Sequence, residues 1–200
     1  MKVIIASKNA HKIEEMQAIL RKFGMDAVSQ EACGVDISVE ETGTTFAENS
    51  ELKARAIFEA TGMPVIADDS GLMVDALDGA PGVYSHRFGD LGSDAERNDY
   101  LMELLRDVPD AQRGAHYVCA ITFLFPDGRK ITAEGTCFGK ILREYRGENG
   151  FGYDPMFLME DTGMTFAELS AEQKNQISHR ANALRELCGK LREEYHHADQ

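Results

Sequence analysis

Apolar and polar positions alternate along the chain in blocks that predict strands and helices in turn. The apolar run at 2–7 is typical of a buried strand. The next segment, 10–23, carries apolar residues at helical spacing and is followed by Gly24, a common residue after a helix end. The chain therefore begins with a strand that leads directly into a helix.

Two Ser/Thr-x-x-Glu patterns mark further helix starts, because the two side chains cap each other's backbone N–H groups. Thr45 to Glu48 predicts a second helix that ends near Gly62 to Pro64. Ser93 to Glu96 predicts a third that reaches about Arg106. A last helix is predicted from about Ser178 to Tyr195.

Short apolar segments predict the remaining strands. Val65 to Ala67 reads as a short buried strand, and Met156 to Met159 as another. Segments 116–125 and 130–138 flank Pro126-Asp127-Gly128, which predicts a β-hairpin. Strands alternate with helices before the hairpin appears, so the pattern favours an α/β fold with a mixed sheet.

Composition narrows the class of protein. The 200 residues fit one domain or two closely joined lobes. A net charge of -13 argues against nucleic acid as a partner, although a metal can make a small nucleotide site locally positive. No apolar run approaches the ~20 residues of a membrane span, and the apolar start is too short for a signal peptide. We therefore expect a cytoplasmic protein that does not bind a membrane.

The first candidate for chemistry is the step from strand to helix at Ser7 to Lys12. A helix N-terminus offers unpaired N–H groups and a positive dipole end, which suit phosphate, and Lys8 and Lys12 add positive charge. The alternative is a polar turn in which Asn9 caps the helix. The segment is not a Walker A loop, because it lacks that motif's glycines and its GK[ST] ending.

Two acidic clusters form a second candidate, Glu40 to Gly43 and Asp68 to Gly71. Magnesium prefers hard oxygen ligands, commonly one or two carboxylates together with phosphate oxygens. Paired acids beside glycine are also common in solvated turns. The buried strand that precedes Asp69 favours a functional role for that residue.

Three further groups carry donors or aromatic rings. Asn49 and Lys53 share one face of the second helix, where a solvated lysine is the alternative. The aromatics within Gly150 to Pro155 either pack at a tight turn or stack on a base. Lys174 and Ser178 to Arg180 supply donors for a purine edge or a phosphate, or form a solvated basic face.

Taken together, these segments resemble the inosine triphosphate pyrophosphatase family, the nonstandard purine nucleoside-triphosphate pyrophosphatases. The matching blocks keep the family's order and occupy nearly the whole chain. They are Ser7 to Lys12, Glu40 to Gly43, Thr45 to Asn49, Lys53-Ala54, Ala67 to Leu72, Gly79 to Ser85, Gly150 to Pro155 and Ser178 to Arg180.

The resemblance implies an elongated α/β fold of two lobes, with flanking helices around a long central mixed sheet. Residues 1–200 would form one such domain, with substrate in the cleft between the lobes, and two copies would form a homodimer. The implied reaction is magnesium-dependent hydrolysis of ITP, dITP and XTP to the monophosphate and pyrophosphate.

The resemblance also implies roles for individual residues. Asp69 would be the general base and would hold Mg²⁺ together with Glu40. The triphosphate would be bound by Ser7, Lys8, Asn9, Ala10, His11, Lys12 and Lys53. Ser70 would contact the substrate. The base and sugar pocket would be lined by Phe151, Gly152, Tyr153, Asp154, Lys174, His179 and Arg180.

One position departs from the family pattern. Many relatives carry glycine where this chain has Lys8. A backbone conformation with positive φ would strain a lysine there, so the detail of the phosphate loop is open.

Other functions compete with this reading. A pyrophosphatase of the same fold could act on other modified nucleotides, including pyrimidines. A nucleotide-binding sensor without catalysis has no need for the water-positioning carboxylate at Asp69. A DNA-binding repair factor fits poorly with the acidic balance of the chain.

Overall fold

A computed structural model describes residues 2–198, and within them the chain forms seven strands and five α-helices. The strands are β1 (Lys2–Ile5), β2 (Asp26–Ser29), β3 (Val65–Val74), β4 (Gly114–Leu124), β5 (Lys130–Ile141), β6 (Phe157–Met159) and β7 (Met164–Thr165). The helices are α1 (Ala10–Lys22), α2 (Phe46–Thr61), α3 (Asp94–Leu104), α4 (Ala171–Ile177) and α5 (His179–Ala198).

The strands form one mixed sheet in the order β2-β1-β3-β4-β5-β6-β7. β1 pairs in parallel with both β2 and β3, whereas β6 pairs antiparallel with β5 and β7. Adjacent strands β4 and β5 are joined by a tight turn in which the Phe125 N–H donates to the Arg129 carbonyl at 2.9 Å. The predicted α/β class, mixed sheet and hairpin are confirmed.

The predicted helix starts are also confirmed. The Asn9 side chain accepts a hydrogen bond from the Lys12 N–H and caps α1. Both capping boxes are present, with Thr45 and Glu48 at α2 and Ser93 and Glu96 at α3. None of the helices within residues 2–198 is both long and apolar enough to cross a membrane.

The prediction that a short strand ends at Ala67 is wrong, because β3 continues through Asp68 and Asp69 to Val74. Paired acids beside glycine suggested a solvated turn. In the structure both carboxylates are buried and meet cationic side chains, so the strand can pass through them. The short strands β2 and β7 and the seven-residue helix α4 carry too little periodic pattern to be predicted.

The described residues divide into two compact units. The first comprises the described residues up to Asp69, together with Cys119–Gly135 and the described residues from His179 onwards. The second comprises Ser70–Val118 and Thr136–Ser178. Strands β3, β4 and β5 contribute residues to both units.

The core of the first unit lies on both faces of its part of the sheet. Val3 and Ile5 belong to a cluster with residues of α1 and α5, whereas Ile4 belongs to a second cluster with Ala54 and Ile57 of α2. Successive side chains of a strand point to opposite faces, so β1 is covered by helices on each side. This burial explains its continuous apolar sequence.

Aromatic rings dominate the core of the second unit. Tyr117 contacts the rings of Phe157 and Phe166 at centroid distances of 4.7 and 5.6 Å. Its hydroxyl donates to Asp154 Oδ1 at 3.3 Å. The core therefore reaches the glycine-rich segment that precedes β6.

Candidate active site

The loop between β1 and α1 presents a helix N-terminus with a lysine beside it. The Asn9 Oδ1 atom accepts the Lys12 N–H at 3.2 Å, and Ser7 Oγ accepts the Asn9 N–H at 3.2 Å. The Lys12 side chain is only 15% exposed and its Nζ lies 3.2 Å from Asp68 Oδ2. The helix terminus and this held ammonium group form a setting suited to a phosphate.

Lys8 points elsewhere. Its ammonium group donates to Asp36 Oδ1 at 2.6 Å and to Ser38 Oγ at 2.9 Å, and both it and His11 are exposed. Within residues 2–198 the non-glycine residues at positive φ are Asp78 and Asp90, so Lys8 fits this backbone without the strain considered above.

Asp68 is the centre of a buried ion-pair network in the first unit. Its Oδ2 atom accepts from Arg180 Nη2 at 3.1 Å and Nε at 3.3 Å, in addition to the Lys12 contact. Arg180 also binds Glu15 through Nη1. Burial alone would raise the pKa of Asp68, but Lys12 and Arg180 outweigh it and hold that pKa well below its usual range.

Asp69, the next residue of β3, has a different environment. Asn49 Nδ2 donates to its Oδ2 atom at 3.0 Å, and Lys53 Nζ lies 3.8 Å from its Oδ1 atom. Burial raises the pKa of this carboxyl, Lys53 and Lys12 lower it, and Glu41 raises it further, so the net shift is upwards. Two adjacent aspartates are thus pushed in opposite directions, which is typical of sites that perform proton transfer.

Lys53 links Asp69 to the acidic loop that precedes α2. Its Nζ lies 2.5 Å from Glu41 Oε1. Burial lowers the pKa of Lys53, but the charges of Asp68, Asp69 and Glu41 outweigh it and the pKa is raised. Asn49 also joins this loop, because its Oδ1 atom accepts the Gly43 N–H at 2.8 Å.

The carboxylate oxygens around Lys53 fit a hard divalent cation. The carboxylates of Asp69 and Glu41 both contact the Lys53 ammonium group, which shows that this place accepts a positive charge. Asp68 Oδ1 is buried and has no hydrogen-bond partner among the described residues. Carboxylate oxygens of this kind are the ligands that Mg²⁺ prefers.

No preformed cluster of three or more acidic, histidine or cysteine ligands occurs within the described part of the chain. Glu40, predicted as a metal ligand, is exposed, and its neighbour Glu41 is the one paired with Lys53. Ser70 follows Asp69 on β3 and is half-buried.

A second group of predicted residues meets in the second unit. Asp154 Oδ2 accepts the Phe151 N–H at 3.0 Å and Lys174 Nζ at 2.7 Å. The same ammonium group lies 4.7 Å from the centre of the Phe151 ring. A Cβ on Gly150 would lie 2.1 Å from Asp154 Oδ2, so glycine is needed there for the carboxylate to approach.

Tyr153 is buried and its hydroxyl donates to the Ser85 carbonyl at 2.6 Å. Phe151 and Gly152 are half-buried. This part of the second unit therefore offers an aromatic ring with a buried ammonium group beside it, a combination suited to a planar ligand that carries hydrogen-bond acceptors.

The structure thus brings Lys12, Lys53, Asp69 and Arg180 into one network, and Phe151, Asp154 and Lys174 into another. The Arg180 guanidinium binds Asp68 and Glu15 and therefore belongs to the first network. His179 is buried at the first position of α5.

Four residues of these networks were given no role in the predicted site, although all but Glu15 lie in segments that the sequence had singled out. They are Glu15, Glu41, Asn49 and Asp68. Helical spacing offered a signal for two of them, because Glu15 follows Lys12 by three positions and Asn49 precedes Lys53 by four. Nothing local marks Asp68 as a partner of Arg180, which is 112 positions away.

Comparison with known proteins gives matches over nearly the whole chain. A model of the Ham1 family matches residues 3–190. A dITP/XTP pyrophosphatase of Clostridium perfringens is 45% identical over 198 residues, covering 96% of this chain and 97% of the relative. One from Escherichia coli O157:H7 is 48% identical over 194 residues, with 96% and 98% covered. The structure of the Staphylococcus aureus Ham1 protein superposes with a TM-score of 0.85 at 41% identity, covering 97% of this chain and 100% of that one.

Proposed function

Because the chain belongs to the Ham1 family, we propose that it hydrolyses nonstandard purine nucleoside triphosphates. The substrates are ITP, dITP and XTP, the products are the nucleoside monophosphate and pyrophosphate, and the effect is to remove these nucleotides from the pool. The similar proteins of Clostridium perfringens and Escherichia coli carry the name dITP/XTP pyrophosphatase. The observation that carries the proposal is the meeting of Lys12 and Lys53 at the buried acidic pair Asp68 and Asp69.

In the reaction, a water oxygen attacks the α-phosphorus and the bond from that phosphorus to the bridging oxygen breaks, which releases pyrophosphate. Asp69 takes the proton that the water loses. A carboxylate is a better base when its pKa lies above the usual range, and the environment of Asp69 shifts it in that direction.

Charge on the leaving pyrophosphate is offset by Lys12 and Lys53, and the N-terminal N–H groups of α1 bind its oxygens. We assign binding of these oxygens to the rest of the loop as well, from Ser7 to His11. Asp68 and Glu41 hold the two ammonium groups at this place before substrate arrives. Ser70 adds a substrate contact beside Asp69.

We assign the metal to Mg²⁺ and its protein ligands to Asp69 and Glu40. When bound, the metal neutralises phosphate oxygens and aligns the triphosphate. Glu41 is the competing ligand, because it already lies beside Lys53. The concentration of Mg²⁺ that half-activates the enzyme, measured for Glu40→Gln and Glu41→Gln, distinguishes them: the true ligand gives the larger increase.

The base is assigned to the second network. Phe151 stacks on the purine, and Gly152, Tyr153, Asp154 and His179 line the base and sugar. Inosine and xanthosine present a 6-oxo acceptor where adenosine presents an amino donor, so a donor facing that position rejects adenine. We assign the donor to Lys174, whose ammonium group lies 4.7 Å from the centre of the Phe151 ring, and Arg180, which also holds Asp68, stays assigned to the base and sugar pocket.

We also propose that the enzyme is a cytoplasmic homodimer that binds neither nucleic acid nor membrane. The net charge of -13 opposes binding to a polyanion. Large apolar side chains that a second copy would cover include Phe138, which is 73% exposed, and Tyr84. Light scattering on the eluting protein measures the mass and tests the dimer.

The direct test is pyrophosphate release from ITP, dITP, XTP, GTP, ATP and modified pyrimidine triphosphates, each with and without Mg²⁺. Preference for the first three, with metal, supports the proposal. Preference for the pyrimidines would support the rival pyrophosphatase, and binding without turnover would support the sensor. Hydrolysis in water labelled with heavy oxygen places the label in the monophosphate if attack is at the α-phosphorus.

A further inference from the structure

Helix α3 holds the main chain of the Phe151 loop, residues 150–154, at a single residue. Asp94 Oδ2 accepts the Gly152 N–H at 2.8 Å, and Asn98 Nδ2 donates to the Gly152 carbonyl at 3.0 Å. Asp94 and Asn98 are four positions apart and therefore lie on one face of the helix. Both backbone groups of Gly152 are thus bound by one helix face.

The Asp94 carboxylate, which accepts the Gly152 N–H, is itself held in place. Arg97 Nη2 donates to Asp94 Oδ1 at 2.6 Å, and Arg97 Nη1 donates to the Leu91 carbonyl at 2.7 Å. Burial would raise the pKa of Asp94, but the hydrogen bonds from Arg97 and from the Gly152 N–H outweigh it and lower that pKa. Asp94 is therefore a charged acceptor with one orientation.

The orientation of the Asn98 amide is fixed by its hydrogen-bond partner. Asn98 is 6% exposed, and the Gly152 carbonyl can only accept, so the amide must turn its NH₂ group towards it. Asn98 Oδ1 has no hydrogen-bond partner among the described residues. A carboxylate at this position would place an acceptor against an acceptor without a change of volume.

We propose that Asp94, Arg97 and Asn98, here called the α3 clamp, are positioning residues that set base selectivity by holding the Phe151 loop. The inference rests on the proposed assignment of this loop to the base. Gly152 lies between the stacking ring of Phe151 and the carboxylate of Asp154 that binds Lys174. A shift of Gly152 therefore moves the Phe151 ring and the Lys174 ammonium group together. Misplacement of the bound base by about 1 Å is enough to lose a large part of the activity.

The chain offers matched variants on the same helix. Asn98→Asp replaces the amide donor with an acceptor. Asp94→Asn keeps an acceptor for the Gly152 N–H but loses the negative charge that binds Arg97. Asp99→Asn is the control, because Asp99 accepts from the exposed Tyr145 hydroxyl and not from the loop. A buried hydrogen bond that is lost or reversed changes an equilibrium about tenfold to a hundredfold.

We expect Asn98→Asp to raise KM for ITP about tenfold, to change kcat much less, and to reduce the ITP/ATP ratio of kcat/KM. Asp94→Asn gives a smaller effect of the same kind, and Asp99→Asn gives none. If Asn98→Asp lowers turnover of ITP and ATP in the same proportion, or leaves both unchanged, the clamp does not set selectivity. Should Asn98→Asp fail to fold, Asp94→Asn decides by the same criterion.

Phe151→Ala separates failure of the clamp from failure of the site. If it leaves KM for ITP at the wild-type value, the base does not bind at this loop and the proposed assignment is wrong. If it raises KM while Asn98→Asp and Asp94→Asn behave like Asp99→Asn, the assignment survives and the clamp is overturned.

A readout without substrate tests the clamp alone. The chain contains no tryptophan, so Phe151→Trp introduces a single tryptophan into the loop, whose emission can be excited apart from that of the six tyrosines. We expect acrylamide to quench this tryptophan more strongly when Asn98→Asp is added than when Asp99→Asn is added. Equal quenching in the two double variants would show that α3 does not hold the loop.

Discussion

Asn49 donates from Nδ2 to Asp69 Oδ2 at 3.0 Å, and its Oδ1 atom accepts the Gly43 N–H at 2.8 Å. The backbone N–H fixes which end of the amide is the acceptor, so the NH₂ group must face Asp69. The candidate base is therefore oriented by a buried neutral donor on α2. This donor favours the ionised carboxylate, whereas the surrounding burial opposes it.

Removal of that donor is expected to move the pH profile. Asn49→Ala deletes a hydrogen bond that lowers the pKa of Asp69, so the pKa rises further. Because a base acts when deprotonated, the acidic limb of kcat/KM against pH moves to higher pH. Ser50→Ala is the matched control, since Ser50 is buried on the same helix but contacts Thr122. An unmoved limb in Asn49→Ala would show that the Asn49 amide does not tune the base.

Asp68→Asn is expected to cost stability as well as activity. It leaves Arg180 and Lys12 without their shared buried carboxylate, and breaking such a pair costs about 3–5 kcal/mol. Urea unfolding at neutral pH measures the loss. Asp36→Asn, at an exposed carboxylate paired with Lys8, serves as control and should change stability little.

The same variant has a pH signature. The folded pKa of Asp68 lies below the unfolded value of about 3.9, so its contribution is complete above that pH and is lost as the pH falls. The stability of the wild type should therefore fall more steeply in acid than that of Asp68→Asn. Parallel acid slopes would contradict the assigned ionisation state.

Elements with a strong local signal were predictable, and buried charges were not. Asn9, Thr45 and Ser93 cap helices through contacts three residues away, so sequence alone identified them. β3 was predicted too short because Asp68 and Asp69 are compatible with a strand interior only when distant cations neutralise them. The fold brings Arg180 to Asp68 from 112 positions away, so the spacing of residues along the chain gives no indication of this pair.

Lys53→Ala is expected to weaken use of triphosphates far more than binding of monophosphate product. In the proposed site its ammonium group offsets charge on the pyrophosphate that leaves, which the product lacks. Lys190→Ala is a control on an exposed lysine paired within α5, where about 0–1 kcal/mol is usual. Equal small changes in KM for ITP and in Kd for IMP would show that Lys53 serves only to pair with Glu41 and Asp69.

Two glycines of the first unit are expected to respond in opposite ways to alanine. A Cβ on Gly135 would lie 2.2 Å from the His179 carbonyl oxygen and the Ala183 nitrogen, so Gly135→Ala must push α5 away from β5. Gly189 lies within α5 with nothing near its Cβ position, and Gly189→Ala should stabilise by about 0.5–1 kcal/mol. Thermal unfolding measures both, and a tolerant Gly135→Ala would show that this close approach is not needed.

The central claim is that Asp69 is the catalytic base, and Asp69→Asn tests it most directly. Burial raises the folded pKa of Asp69 above its unfolded value, so the ionised carboxylate weakens the fold as the pH rises above the unfolded pKa. The neutral amide removes this cost but also removes one of the three carboxylates that hold the Lys53 charge, so the metal-free protein should stay folded at neutral pH, while the amide can accept no proton from water. We expect kcat for ITP with Mg²⁺ to fall by far more than tenfold, with the protein still folded at the assay temperature. If Asp69→Asn keeps more than about a tenth of the wild-type kcat, a loss below ~1.4 kcal/mol, Asp69 is not the catalytic base.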